Sequence, residues 1–138
     1  MELKVIILRL FIASVCGAVV GFERELRDKA AGLRTHMLVC LGACIFGMLG
    51  LELTSGFPDA DILRLAQGLL IGVGFLGAGV IFREGPTVIG LTTAAGIWVM
   101  GGVGLAAGIG LYRIALIGTI FTFLTVSLFG RLEKLRKK

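Results

Sequence analysis

Charged side chains are scarce in this chain, and the scarcity excludes an ordinary soluble domain. They make up 17% of the 138 residues, whereas soluble proteins average about 25%. Hydrophobic residues make up 57%, 22 glycines come in addition, and the mean hydropathy is +0.98. The sequence therefore predicts an all-α integral membrane bundle that forms one domain over residues 1–138, with no soluble C-terminal domain.

Signatures of disulfides and of catalysis are also missing. The three cysteines, Cys16, Cys40 and Cys44, all lie inside apolar runs, which argues against a disulfide framework. No glycine-rich phosphate loop, nucleophile elbow or zinc signature is present. We therefore predict no catalytic residue, no cofactor and no metal centre.

A metal site remains a weaker alternative. His36 precedes Cys40 and Cys44 at four-residue spacing, but three side chains on one helix cannot all reach one ion. A metal sensor could also use His36 with Asp59 and Asp61 of the loop after the second apolar segment.

The chain is basic, with a net charge of +5 and a pI near 9.6. The basic residues lie between and after apolar segments, so we predict the lipid bilayer as their partner and no nucleic acid.

Five apolar segments are each near the ~20 residues that cross a bilayer. The predicted spans are Val5–Phe22, His36–Leu53, Leu65–Phe82, Leu91–Leu111 and Ile114–Gly130. Ten lysines and arginines fall on one side of this bundle and four on the other. The positive-inside rule therefore places the N-terminus outside and the C-terminus in the cytoplasm.

Two parts of the chain share a few residues at a constant interval, which indicates either a faint internal repeat or chance similarity. Gly90-Leu91-Thr92-Thr93 follows Gly32-Leu33-Arg34-Thr35 by 58 positions, and Gly79 follows Gly21 by the same interval. Spans 1–2 would then correspond to spans 3–4 as a parallel repeat.

Glycine is concentrated in span three, where small residues allow helices to approach closely. The predicted packing residues are Gly68, Gly72, Gly74, Gly77 and Gly79, with Trp98 as a wedge in span four. The packing would occur within the bundle or across a homodimer. The alternative is an unwound segment, Gly72–Gly79, whose carbonyl groups coordinate a cation. A turn, Arg83–Pro86, follows this span.

Charged residues follow span one. Opposite charges four residues apart over Glu23–Lys29 predict a helical extension beyond the membrane. Alternatively, Glu23 and Arg24 reach a polar site between helices, where unpaired charges are costly and usually functional. We predict a functional polar rim on this side, formed by Glu23, Arg24, Glu25, Arg34, Thr35, His36, Arg83, Thr92 and Thr93.

The two Gly-Leu-x-Thr segments each begin an outward-running helix. A threonine in each could cap the first N–H groups. Alternatively, two adjacent helix N-termini, with Arg34 and His36 nearby, could attract an anion.

Several of these motifs resemble the MgtC/SapB family in order and spacing. The similarity rests on Gly21–Glu25, Ala31–Ala43, Gly74–Gly79 with Arg83, and Gly90–Ala95 with Trp98. It implies a bacterial inner-membrane protein of about five spans, linked to low-magnesium growth and to virulence. Many members continue into a cytoplasmic ACT-like domain, whereas this chain stops at Lys138.

The resemblance also implies a mechanism in which the protein restrains the F-type ATP synthase. Our leading hypothesis is therefore a non-enzymatic regulator that docks helix-to-helix onto a membrane complex. The alternative is a small dimeric channel or transporter for Mg²⁺ or another ion, and we expect a homodimer.

Overall fold

The computed structural model describes residues 1–57 and 61–129, and these residues form a helical bundle. The elements in chain order are α1 (Leu3–Leu26), α2 (Leu33–Gly56), α3 (Ile62–Ala78), β1 (Phe82–Glu84), β2 (Thr87–Ile89), α4 (Leu91–Gly108) and α5 (Tyr112–Leu124), followed by a π-helical turn (Thr125–Phe129). Helices α1, α2 and α4 are long and apolar enough to cross a membrane, and α3 and α5 are shorter apolar helices. The predicted all-α membrane bundle is thus confirmed.

Helix α4 occupies the middle of the bundle, and glycines let α2 approach it closely. A Cβ atom at Gly104 would overlap the carbonyl oxygen of Cys40, and one at Gly108 would overlap that of Cys44. Ile97 and Met100 fill the adjacent core and are almost completely buried. Close approach of small residues therefore holds the two central helices together, as is usual in lipid, where apolar burial alone gives little preference for helix association.

Helix α1 also packs closely against α2 at glycine residues. A Cβ atom at Gly17 would lie 2.7 Å from the carbonyl oxygen of His36, and one at Gly21 would lie 2.8 Å from the Cα of Leu33. The last turns of α1 therefore lie directly on the first turn of α2, and side chains from both helices meet there.

Several predicted boundaries need correction. Helix α1 continues beyond the predicted end of span one but stops at Leu26, and Asp28 has a φ of 51°, so the predicted helical extension covers only the first part of Glu23–Lys29. Helix α3 ends at Ala78, and Phe82, the predicted end of span three, begins strand β1. Gly130, the predicted end of span five, and the basic tail after it lie outside the described residues.

The predicted Arg83–Pro86 turn is the tip of a two-stranded hairpin. Its antiparallel register pairs Phe82 with Ile89, Arg83 with Val88 and Glu84 with Thr87. Gly85, with a φ of 59°, occupies the tip. All six strand residues are exposed.

The bundle has two distinct ends. At the hairpin end, α1 ends, α2 and α4 begin, and Arg27 Nη2 donates to the carbonyl oxygen of Ser127 at 2.9 Å. At the N-terminal end, the Met1 amino group lies 3.3 Å from Glu52 Oε2, and Arg9 Nη1 donates to the carbonyl oxygen of Gly108 at 2.7 Å.

Candidate functional site

Polar side chains are buried together at the hairpin end. This buried polar cluster consists of Glu23, Arg24 and Arg27 in the last turns of α1 and after it, His36 in the first turn of α2, and Thr93 in the first turn of α4. The relative exposures of Glu23, Arg24, His36 and Thr93 are 7%, 5%, 0% and 4%. Ionisable groups at such positions in a membrane protein are costly unless paired, so the cluster is the main candidate site.

Arginine side chains join the end of α1 to α4 within the cluster. Arg24 Nη2 donates to Thr93 Oγ1 at 3.1 Å, and Arg24 Nη1 lies 4.0 Å from Glu23 Oε2. Arg27 Nε lies 2.5 Å from Glu23 Oε1. Two guanidinium groups therefore surround one carboxylate, and the cluster carries an excess of positive charge beside the N-terminus of α4.

His36 Nε2 is buried without a hydrogen-bond partner among the described residues, whereas the Glu23 carboxylate oxygens have their ion pairs with the two arginines but no well-aligned hydrogen bond. His36 Nδ1 lies 2.9 Å from the carbonyl oxygen of Gly32. Since a carbonyl oxygen only accepts, Nδ1 carries the proton and Nε2 of the neutral ring is an acceptor. Nε2 faces α4, where a Cβ atom at Gly96 would lie 3.7 Å away.

The predicted threonine caps are wrong at both helix starts. The N-cap residues are Gly32 and Gly90, which have no side chain to cap the helix, and no threonine takes this role. Instead, the N–H of Leu33 donates to Glu25 Oε2 at 2.7 Å across the α1–α2 loop. Thr93 accepts from Arg24 Nη2 and does not cap its own helix.

The predicted polar rim separates into two groups. Glu23, Arg24, His36 and Thr93 belong to the buried polar cluster, as the interhelical alternative required. The other members are exposed and lie outside the cluster: Glu25, Arg34, Thr35, Arg83 and Thr92. Arg83 Nε donates to the carbonyl oxygen of Gly85 at 3.0 Å, within its own turn.

Sequence reasoning did not include Arg27 and Ser127 in the site. The four-residue spacing between Glu23 and Arg27 was a usable signal, because such pairs meet on one helical face. Ser127 contributes only its backbone carbonyl oxygen, which side-chain patterns do not reveal.

The glycines of span three have different surroundings. Gly77 packs against α4, where a Cβ atom would lie 3.3 Å from the carbonyl oxygen of Ala94. Gly79 follows α3, and a Cβ atom there would lie 3.3 Å from the carbonyl oxygen of Leu76, in the preceding turn of the same chain. Gly68, Gly72 and Gly74 have no atom within 4 Å of the position that a Cβ would take. Their predicted packing role requires a molecule outside this chain and stays a prediction.

Trp98 is half-exposed, with a relative exposure of 49%, so any role as a wedge inside the bundle would involve only part of its ring. The alternative of an unwound segment over Gly72–Gly79 is wrong for most of its length, because α3 is helical through Ala78.

No group of three potential metal ligands occurs within residues 1–57 and 61–129. Cys16, Cys40 and Cys44 are buried free thiols, and Cys40 Sγ donates to the carbonyl oxygen of Met100 at 3.3 Å. Asp61 Oδ1 accepts from the N–H of Leu63 at 2.8 Å and so caps α3. Asp59 lies outside the described residues.

Comparison with known proteins gives consistent matches. The family model described as the MgtC family matches residues 10–135. Protein SrpB of Synechococcus elongatus is 42% identical over 92% of this chain and 76% of its own length. The putative magnesium transporter YhiD of Escherichia coli K12 is 37% identical over 91% of this chain and 61% of its own length.

Protein MgtC of Salmonella typhimurium is 44% identical over 83% of this chain and 48% of its own length. This chain therefore spans about half to three quarters of these relatives. No solved structure matches.

Proposed function

Because the chain belongs to the MgtC family, we propose that this membrane protein is a regulator, not an enzyme, that docks through its helices onto another complex of the bacterial inner membrane. The family resemblance suggests the F-type ATP synthase as that complex and adaptation to low magnesium as the context. The name of the relative YhiD as a putative magnesium transporter supports the connection with magnesium.

One face of α3 is the observation that carries the proposal. Gln67, Ile71, Gly74 and Ala78 follow one another at helical spacing of four, three and four residues, and we call them the α3 outer face. Ile71 is 68% exposed, Gln67 and Ala78 are exposed, and Gly74 has open space beside it.

Small residues allow a second helix to approach the backbone, and an amide side chain can hydrogen-bond across the contact. The α3 outer face combines small residues with an amide side chain. Another helix can use both features, whereas lipid chains require neither small residues nor a hydrogen-bonding group. The buried polar cluster fixes the position of α4, against which α3 packs through Gly77. The docking face is therefore held on a rigid support.

A second copy of the chain is the other possible occupant of this face. We propose a homodimer in the absence of the larger complex, which size measurement of the purified protein in mild detergent would detect.

Inverted membrane vesicles provide a direct test of the proposal. ATP-driven proton pumping is followed with a pH-sensitive dye in vesicles with and without the chain. We expect the chain to lower the pumping rate and Gly74→Leu to restore it, because the larger side chain blocks close approach of the partner helix.

Gly56→Leu is the matched control, since Gly56 also has open space and is the last residue of α2, not a residue of α3. It should lower pumping as much as the parent chain. Pumping that is the same with and without the chain, or a Gly74→Leu variant as effective as the parent at equal abundance, would rule out the proposal.

Ion transport is a second candidate, favoured by the ionisable side chains of Glu23 and Arg24, which are buried between helices, where such groups often line ion pathways. Purified protein in liposomes would then carry Mg²⁺, and Glu23→Gln would stop the flux. Mg²⁺ entry no faster than into empty liposomes would eliminate this candidate.

A further inference from the structure

An apolar groove runs between α2 and α3, on the side of α3 away from the α3 outer face. It encloses about 310 Å³, at the lower end of the ~300–1,000 Å³ of ligand pockets. Its main lining residues are Leu38, Gly42 and Phe46 on α2, and Gly68, Gly72 and Leu76 on α3. We call it the α2–α3 groove.

Three glycines make this groove smooth and open. Gly42, Gly68 and Gly72 have no atom within 4 Å of a Cβ position. Val39 and Val73 are buried behind them and close the groove toward the core. A thin apolar chain can therefore lie against both helices without displacing any side chain.

The length of the groove matches one leaflet. Leu38 and Phe46 are eight residues apart on α2, which corresponds to ~12 Å along a helix. Half of the hydrocarbon core of a bilayer is ~15 Å thick. The groove therefore begins near the hairpin end and reaches roughly as deep as the acyl chains of the leaflet on that side.

A cation lies at the hairpin end of the groove. Arg34 precedes Leu38 by four residues, so it occupies the same side of α2 one turn nearer to the hairpin end. Side chains on a helix point toward its N-terminus, so the exposed guanidinium group extends toward the level of the lipid head groups.

Arg34 also differs from its buried neighbours. Arg24 and Arg27 donate hydrogen bonds to Thr93 and Ser127. Arg34 takes part in none of the hydrogen bonds or ion pairs among the described residues, so its charge is available to an external anion.

We propose that the α2–α3 groove binds one anionic phospholipid of the leaflet at the hairpin end. One acyl chain lies along Gly42 and Gly72, and the phosphate contacts Arg34. A helix is ~10–12 Å wide and could place only single side chains in this volume, and it would not need the cation at one end. An amphiphile with an apolar chain and a single anionic head group matches both the apolar α2–α3 groove and the Arg34 guanidinium group at its end.

Lipid titration of the purified protein, followed by native mass spectrometry, tests the proposal. The probes are phosphatidylglycerol and phosphatidylcholine with identical palmitoyl and oleoyl chains. One basic residue near a membrane surface changes the affinity for anionic lipid about fivefold. We therefore expect phosphatidylglycerol to bind about fivefold more tightly than phosphatidylcholine, and Arg34→Ala to remove that preference.

Substitutions within the groove test the acyl-chain contact separately. Gly72→Leu fills the groove and should weaken the binding of both lipids, and Gly42→Leu should do the same from the other wall. Both glycines have open space, so the fold should tolerate each change, which circular dichroism checks. Arg113→Ala, at the opposite end of the bundle, is the control that should leave lipid binding unchanged.

Three results would overturn the proposal. They are equal affinity for the two lipids, a preference for phosphatidylglycerol that survives Arg34→Ala, and unchanged lipid binding in both leucine variants. If the leucine variants bind lipid normally but no longer affect ATP-driven pumping, a partner helix occupies the groove instead. The α3 outer face is not part of this experiment, so either proposal can fail without the other.

Discussion

Arg24 illustrates how this bundle accommodates a charged residue among apolar helices. Arg24 is 5% exposed, and its guanidinium group donates to Thr93 on α4 and lies 4.0 Å from the Glu23 carboxylate. Removal of one partner from a buried charge costs more than the bond itself contributes, because the remaining charge has no solvent to replace the partner. The contact therefore ties α1 to α4, and the two helices cannot separate at the hairpin end without exposing a charge to lipid.

Substitution of Thr93 tests this contact. Thr93→Val keeps the shape of the side chain but removes the acceptor for Arg24, and we expect a loss of about 1–2 kcal/mol in the free energy of unfolding. Detergent-induced unfolding of the purified protein, followed by circular dichroism, gives the measurement. Thr92→Val is the control, because Thr92 is exposed, and it should change stability by less than about 0.5 kcal/mol. Equal losses in the two variants would show that Thr93 does not hold Arg24.

At the scale of the elements, the apolar runs predicted the existence and order of all five helices but not where they end. The length of an apolar run indicates how many residues can lie in the bilayer, whereas the position at which a helix ends depends on contacts with other elements. Helix α1 ends at Leu26 because the chain must turn so that Glu25 reaches the N–H of Leu33. That contact joins residues eight positions apart and has no local signature. The same reasoning applies to the site, where Arg24 and Thr93 were both predicted for the polar rim but the hydrogen bond between them was not.

The hairpin between α3 and α4 depends on the backbone of Gly90. This residue is the N-cap of α4, its φ is 88°, and a Cβ atom would overlap the carbonyl oxygen of Val80. Gly85, at the tip of the same hairpin, also has a positive φ but has open space around it. A side chain at Gly85 would therefore be penalised only by the left-handed backbone conformation, whereas one at Gly90 would also be penalised by steric overlap.

Alanine substitutions at the two positions should differ accordingly. Gly85→Ala should lower the free energy of unfolding by about 1 kcal/mol, because only the left-handed conformation is penalised. Gly90→Ala should cost at least about 2 kcal/mol more, because the backbone must also move away from Val80. Detergent unfolding of both variants provides the comparison. If they lose the same stability, the hairpin adjusts freely and does not position α4.

At the scale of the whole molecule, Gly32 and Gly90 occupy equivalent places, since each is the N-cap of a helix that begins at the hairpin end. This equivalence fits the predicted parallel repeat but does not extend to the connections. The α1–α2 link is a loop closed by Glu25, whereas the α3–α4 link is a β-hairpin. The repeat therefore stays a prediction, and the orientation of the bundle has to be argued from charge.

Within the described residues, five lysines and arginines lie at the hairpin end and four at the N-terminal end. Such a small difference would give a weak orientation signal, and Arg9 at the N-terminal end is engaged with the carbonyl oxygen of Gly108. The tail after α5 adds five basic residues of the sequence. Arg27 lies next to Ser127 near the end of the chain, so that tail starts from the hairpin end. With these five residues counted, the positive-inside rule favours a cytoplasmic hairpin end, and this orientation stays a prediction.

Cysteine labelling tests both the arrangement and the orientation. The three native cysteines are buried, so single cysteines can be introduced without removing them. In intact cells, a membrane-impermeant maleimide should label Ser55→Cys and Arg113→Cys at the N-terminal end. Lys29→Cys and Glu84→Cys at the hairpin end should react only after permeabilisation. The reverse pattern would invert the orientation but keep the bundle, because the two ends would still be distinct. Labelling of Lys29→Cys and Glu84→Cys from different sides would contradict the bundle itself, since α1 and α3 would no longer end at the same face.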